Sequence, residues 1–220
     1  MSVVTSAAGG TEDVVDLVRT AIHEGEFAPN QRLVEADLSV QFGASRAAVR
    51  TALVQLAAEG LVERVQNRGA RVRAVSLGEA IEISEVRMVV EGLCAAKAAE
   101  RATDEDLEAL RQIGDDMRGA VERGDVFAYS DLNRRLHTAV RAAAGQQVAE
   151  GVLERLRGQN VRHQFRLALL PGRASVSLPQ HLEIIEAVRA RDAARAEAAM
   201  RAHLASVIET LPQVGTSRLP

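Results

Sequence analysis

A chain of 220 residues, 47% of them hydrophobic, can bury a core as one large domain or two small ones. Its net charge of −3 gives no overall basic signature of a nucleic-acid binder, its single cysteine excludes an internal disulfide, and no apolar run approaches the roughly 18 residues of a membrane helix. Abundant alanine and only 2% aromatic residues favour a mostly helical, cytoplasmic protein.

Met1 to Thr11 is small and polar with no basic start, and reads as a disordered lead-in (1–10) rather than a signal peptide. Thr11 then caps a first helix, with Glu12 and Asp13 in its opening turn and Val14, Val15, Leu17, Val18 and Ile22 on its apolar face. Gly25 and Pro29 end it. A short helix is predicted over 35–41, Gly43 makes a turn, and Ser45 caps a third helix running to about Glu59. The period then changes to alternation over 61–65 and 70–75, with Gln66, Asn67, Arg68 and Gly69 between them, which predicts a β-hairpin with a polar tip. Ser76 and Glu79 form a capping-box pattern and set a domain boundary between 11–75 and 76–212. Thr103 and Asp106 repeat that pattern. Further helices are predicted over 125–144, 146–169 with a break near Gly158, 177–190 and 192–210, and a tail over 213–220 is expected to fray. Cys94 lies in an apolar run and reads as a small core residue.

Three helices followed by a hairpin give the order of a winged helix-turn-helix. Between Gly43 and Val75 the basic residues Arg46, Arg50, Arg64, Arg68, Arg71 and Arg73 face only two acids, Glu59 and Glu63, so a cationic segment sits inside an acidic chain. On the third helix Val49, Ala52, Leu53 and Leu56 share a buried face, while Arg46 and Arg50, four apart, project from the other side. Arginine in the first turns of a recognition helix suits bidentate contact with guanine in the major groove. Ser45 can offer its hydroxyl and the helix start to a phosphate, and the hairpin residues Asn67, Arg68 and Gly69 can reach a minor groove. Gly69 fits equally a turn that needs positive φ.

Four of the five histidines lie in the C-terminal region, at His137, His163, His181 and His203; His23 reads as a surface or packing residue. Asn133 shares a helical face with His137, and His181 and His203 sit on two other predicted helices. Three imidazoles and an amide oxygen from three helices suit a divalent ion, Zn above all, with Ni, Fe, Mn or Cu as other occupants. Isolated helical histidines also fit hydrogen-bonded core or surface roles.

The segments Pro29 to Glu35, Leu38, Phe42 to Leu53, Leu56, Gly60 to Val62 and Arg68-Gly69 resemble the GntR family of bacterial transcription regulators over about 12–75. The resemblance implies guanine-reading roles for Arg46 and Arg50 and wing contacts at Gln66, Asn67 and Arg68. Ala36 stands where some relatives carry a further DNA-contacting arginine. Arg87 with Glu91, then Leu132 to His137, Gln180 to Ile185 and Arg201 to Leu204 are similar to the FCD ligand-sensing and dimerisation domain of the FadR-like branch, over about 78–210. That resemblance implies an antiparallel helical bundle with Asn133, His137, His181 and His203 as metal ligands. The asparagine is similar to the VanR-like subgroup, often described with six helices rather than seven. Leu136 replaces the usual Phe, and Gln180 the usual Glu, so that a carboxylate behind His181 is expected to be missing.

The expected protein is a metabolite-responsive repressor, not an enzyme. It is a homodimer on a palindromic double-stranded operator, nucleoid-associated when bound, with no membrane partner. Its effector is a small carboxylic or sugar acid, held at the metal and by Arg87 and Arg166. Ion pairing with Glu91 is the alternative role for Arg87, and a solvated face that for Arg166. The rivals are a metal-dependent hydrolase, for which no motif places a base beside the metal, and an architectural DNA-binding protein without a sensor.

Overall fold

The computed structural model describes the backbone of residues 11–23, 25–65, 69–168 and 170–216, with side chains described except at 11, 12, 23, 157–166, 168 and 214–216. The chain divides into two compact units, one of residues up to 75 with 157–162, the other of 76–156 with 163–220. The first holds α1 (Thr11–His23), β1 (Arg32–Leu33), α2 (Glu35–Gln41), α3 (Arg46–Ala58), β2 (Val62–Val65) and β3 (Gly69–Val72). The second holds α4 (Leu77–Arg101), α5 (Asp104–Glu122), α6 (Val126–Ala144), α7 (Gln147–Ala168) apart from its residues 157–162, α8 (Arg173–Arg189) and α9 (Ala193–Thr216). The fold is thus mostly helical, with a small antiparallel sheet as its only β-structure among the described residues.

In the first unit Val14, Val15 and Val18 of α1 pack with Leu38 of α2 and with Val49, Ala52, Leu53 and Leu56 of α3. Arg19 joins α1 to the end of α3 through a two-pronged pairing with Glu59, at 2.8 and 2.9 Å. Gly43, at φ +62°, supplies the left-handed step between α2 and α3 that a side chain would resist. The sheet has three strands in the order β1-β3-β2, not the two of a simple hairpin. β1 is only two residues long and carries no alternating pattern to reveal it; Arg32 pairs with Arg71 and Leu33 with Ala70. Gly69 is at φ +85°, and a Cβ there would stand 3.3 Å from the Leu33 carbonyl oxygen. Its backbone role is therefore direct: it lets β3 start close against β1.

The second unit buries an alanine-rich seam. Ala95, Ala98 and Ala99 of α4, with Cys94, lie in a core completed by Met117 of α5, Leu136 and Val140 of α6, Ile184 and Val188 of α8, and Met200 and Leu204 of α9. Small side chains on α4 let neighbouring helices approach, which brings buried polar groups on α4, α6, α8 and α9 within hydrogen-bond reach of one another. Both expected N-caps form: Ser76 Oγ accepts from the Glu79 N–H at 3.2 Å, and Thr103 and Asp106 make a full capping box.

Three boundaries depart from the sequence reading. α7 continues through Gly158 without the expected break. α8 starts at Arg173 rather than 177, capped by Gly172, and carries Pro179 inside it. α9 passes through Pro212 and reaches Thr216 rather than fraying after Leu211. Proline removes one backbone donor and is costly in an isolated helix, but buried Ser177 and His181 flank Pro179, and buried Leu211 precedes Pro212. Six helices follow Ser76 among the described residues.

Two glycine replacements separate backbone constraint from mere flexibility. Gly69→Ala is expected to lower stability by about 1–3 kcal/mol. Gly78→Ala, where a Cβ meets open space in the first turn of α4, is expected to be neutral or stabilising by about 0.5–1 kcal/mol. Urea unfolding of both variants checks this contrast.

Candidate nucleic-acid interface and metal centre

Ser45 caps α3 in extended conformation, its Oγ accepting from the Ala48 N–H at 3.1 Å. The apolar side of α3 is buried and Arg46 and Arg50 are exposed, as the pattern required. Arg50 is engaged, however: its Nε and Nη2 donate to the Glu35 carboxylate at 3.0 and 2.7 Å. That hydrogen bonding holds the Glu35 carboxyl below its ordinary range and raises the Arg50 guanidinium. The pair is open to solvent, so it contributes little stability and can exchange for another anion. Gln66, Asn67 and Arg68 lie outside the described residues.

The histidines converge. His137 of α6, His181 of α8 and His203 of α9 are all buried, and each offers a ligand nitrogen within 4.8 Å of the others'. The ring centroids are 4.3 Å apart for His181 and His203, and 5.4 and 5.9 Å from His137 to His203 and His181. Asn133 lies one turn before His137 on α6, and its Oδ1 is buried with no hydrogen-bond partner.

Every ring is held from outside by its Nδ1. His137 Nδ1 donates to Glu91 Oε2 at 2.5 Å, and His203 Nδ1 to Gln180 Oε1 at 3.0 Å. His181 Nδ1 meets the Tyr129 hydroxyl at 2.8 Å. The Tyr129 proton has a destination at Ser177 Oγ, 2.9 Å away, which gives its own proton to the Arg173 carbonyl. Tyr129 donating to Ser177 and accepting from His181 is the pattern that frees His181 Nε2 for an ion; in the other tautomer Tyr129 donates to His181 Nδ1 and His181 Nε2–H donates to His203. A neutral imidazole with its proton on Nδ1 has only a lone pair on Nε2. Burial first, and then nearby positive groups, push the His181 and His203 pKa values well below the ordinary histidine range, so both rings are neutral.

With every ring protonated on Nδ1 the outcome is a cluster of acceptors. The Nε2 atoms of His181 and His203 face each other at 3.2 Å, a separation that a proton on one of them bridges; with His181 protonated on Nδ1 instead, both Nε2 atoms present lone pairs. His137 offers a third ligand nitrogen, and Asn133, one turn before it on α6, has a buried Oδ1 without a hydrogen-bond partner among the described residues. Facing lone pairs repel, and a buried oxygen without a donor is costly. A cation relieves both at once, so the residues present fit a divalent ion bound by three nitrogens and one amide oxygen.

Tyr129, Ser177 and Arg173 were missed in the sequence. Tyr129 precedes the expected Asn133 and His137 by one turn and two turns on α6, and Arg173 and Ser177 precede His181 by two turns and one turn on α8. This four-residue spacing was the available signal. Gln180 supports His203 rather than His181, whose outer partner is Tyr129. Arg87 donates from Nε and Nη2 to Glu91 Oε1 at 2.8 and 2.6 Å, the pairing that the sequence offered as its alternative role. Burial raises the Glu91 carboxyl, but Arg87 and His137 outweigh this and hold it well below the usual carboxylate range. Arg166 and His163 have side chains outside those described. Arg173, not singled out in the sequence, is buried at the start of α8.

A DNA-reading helix in one unit and a buried ligand-type cluster in the other define a DNA-binding regulator with a ligand-binding domain rather than an enzyme. The comparisons make this specific. Residues 11–72 match the bacterial regulatory proteins of the gntR family, and residues 82–206 match the FCD domain. The chain belongs to the gntR family of transcription regulators and carries an FCD ligand-binding domain. The HTH-type transcriptional repressor RspR of Escherichia coli is 29% identical over 203 residues, covering 92% of this chain and 89% of that protein. The HTH-type transcriptional regulator LutR of Bacillus subtilis is 30% identical over 212 residues, covering 86% and 95%. The solved structure of E. coli McbR/YncC shares the fold, with a TM-score of 0.78, 22% identity, and 94% and 99% of the two chains covered.

Replacing the carboxylate tests the outer hydrogen-bond set. Glu91→Gln leaves Arg87 without its buried counter-charge and His137 Nδ1 without its carboxylate acceptor, and is expected to cost about 3–5 kcal/mol at pH 7. The folded-state pKa of Glu91 is depressed, so its contribution is complete above the ordinary carboxylate range and is lost as pH falls through and below it. The gap between wild type and variant in urea unfolding should therefore shrink from pH 7 towards about pH 3.

Proposed function

We propose that the protein is a repressor whose operator affinity is set by a small organic acid bound at a metal centre in the FCD domain. The observation that carries this reading is the convergence of three buried histidines whose ligand nitrogens lie within 4.8 Å of one another, with a buried amide oxygen lacking a partner among the described residues one turn before the first of them. Asn133, His137, His181 and His203 hold the ion, with zinc as the expected occupant. Glu91, Tyr129 and Gln180 fix the ring tautomers that make those nitrogens available. When bound, the ion supplies a Lewis-acidic position that accepts an oxygen of the effector. The hydrolase alternative fails on chemistry. Glu91, the carboxylate on the cluster, is committed to His137 and Arg87, and a base for a bound water is required.

At the DNA, Arg46 and Arg50 read guanines in the major groove, and Ser45 binds backbone phosphate at the start of α3. The wing residues Gln66, Asn67, Arg68 and Gly69 contact the neighbouring groove. A homodimer places two such helices on successive major grooves of a palindromic operator in the cytoplasm. No helix among the described residues is long and apolar enough to cross a membrane. The effector changes operator affinity by its differential affinity for the two arrangements of the dimer, typically about 1–3 kcal/mol.

Native mass spectrometry of protein purified without chelator is expected to find one divalent ion per chain in wild type and none in His181→Ala. Wild type without an ion would remove the metal from the proposal. In gel shifts Arg46→Ala is expected to lose about 1–3 kcal/mol of discrimination between operator and unrelated DNA. Glu35→Gln frees Arg50 from its exposed partner, and should tighten binding to both DNAs by about 0.2–1 kcal/mol at low salt.

A further inference from the structure

Arg173 carries an unmet demand for an anion. It is 8% exposed, and Nη1 donates to the neutral hydroxyls of Ser206 and Thr210 at 3.1 and 3.2 Å. Its Nη2 is buried and has no hydrogen-bond partner. No carboxylate pairs with it among the described residues, whereas the other strongly buried arginines, Arg87 and Arg141, pair with Glu91 and Glu150. A buried guanidinium compensated only by hydroxyls bears most of its desolvation cost, and burial pulls its pKa below the ordinary arginine value.

The position of this charge relative to the histidine cluster is informative. Arg173, Ser177 and His181 fall on one face of α8 at steps of four. Ser206 and Thr210 continue the face of α9 that presents His203. The positive charge acts on Tyr129, His181 and His203 alike. Eight residues of helix separate the backbone of Arg173 from that of His181 by about 12 Å, and the two long side chains close part of this span.

We infer that Arg173 is the carboxylate-binding residue of the effector site, and that the effector is a small acid with two oxygen-donor ends, one seated on Arg173 and the other reaching the histidine cluster. The inference rests on the functional reading above and deepens it. Nη2 supplies a charge-assisted hydrogen bond to a carboxylate oxygen, and Ser206 and Thr210 fix the guanidinium plane that receives it. Dicarboxylates and hydroxy acids of a few carbons have the required pair of ends. Arg87 is not needed for this role, since Glu91 already neutralises it.

The test uses the full chain loaded with zinc, and reads thermal midpoint and calorimetric affinity for malate, tartrate, succinate and the neutral malamide. Wild type is expected to gain stability with at least one acid and none with malamide. Arg173→Met is expected to lose about 100-fold in affinity for that acid while keeping its zinc and its operator binding. It should also unfold at a higher temperature than wild type in the absence of acid, because a buried uncompensated charge has been removed. Arg173→Lys, which keeps the charge but loses the fork, should retain a weakened response. No stabilisation of wild type by any of the acids, or an equal response in Arg173→Met, would overturn the inference. Acid binding that needs Arg173 in protein without zinc would sustain it while removing the metal from the functional reading. A zinc-loaded protein whose acid response ignores Arg173 would do the reverse.

Discussion

The C-terminal unit depends on where three histidines place their protons. Each Nδ1 has a partner outside the cluster, a carboxylate, a phenol or an amide oxygen, and wherever that partner accepts the Nδ1 proton, Nε2 is left bare for an ion. The tying groups come from α4, α6 and α8 and the rings from α6, α8 and α9, so the arrangement exists only when these four helices are packed together. Small side chains on α4 permit that packing. The orientation of the rings and the fit of the cluster to the proposed ion are consequences of one set of hydrogen bonds.

The DNA-binding unit follows a different logic. Its recognition surface is exposed and weakly constrained, with Arg50 resting on Glu35 rather than held in a rigid site. An exposed pair of this kind keeps the guanidinium ordered yet available, since water screens the attraction that a competing anion must replace. The contrast suits the two tasks. A ligand site needs fixed lone pairs in low dielectric, whereas a groove-reading helix needs charges that exchange partners quickly.

Much of this was legible in the sequence because it rests on local periodicity. The third helix, its cap, its buried face and its two arginines are all encoded within fifteen residues of chain. The four metal-ligand candidates were also accessible, through motif resemblance, and the structure brings the three histidines together. What local pattern could not show was pairing across distance. The two-residue β1 is a strand only because β3 lies beside it. Gln180 precedes His181 in the chain yet serves His203, because adjacent residues on a helix point in different directions. Arg87 and Arg173 look equally cationic in sequence; a glutamate one helical turn away engages the first, while burial against hydroxyls leaves the second without a counter-charge. Pro212 misled for a related reason, since α9 continues through it although a tail was expected there.

The central claim concerns proton positions, and imidazole nitrogen NMR reports them directly. With 15N-labelled histidine in metal-free protein at neutral pH, the account predicts that His137, His181 and His203 are all Nδ1–H tautomers with unprotonated Nε2. On titration with one equivalent of zinc, only those three Nε2 resonances should move to metal-bound values. A Nε2–H tautomer at any of the three, or Nε2 signals indifferent to zinc, would contradict it.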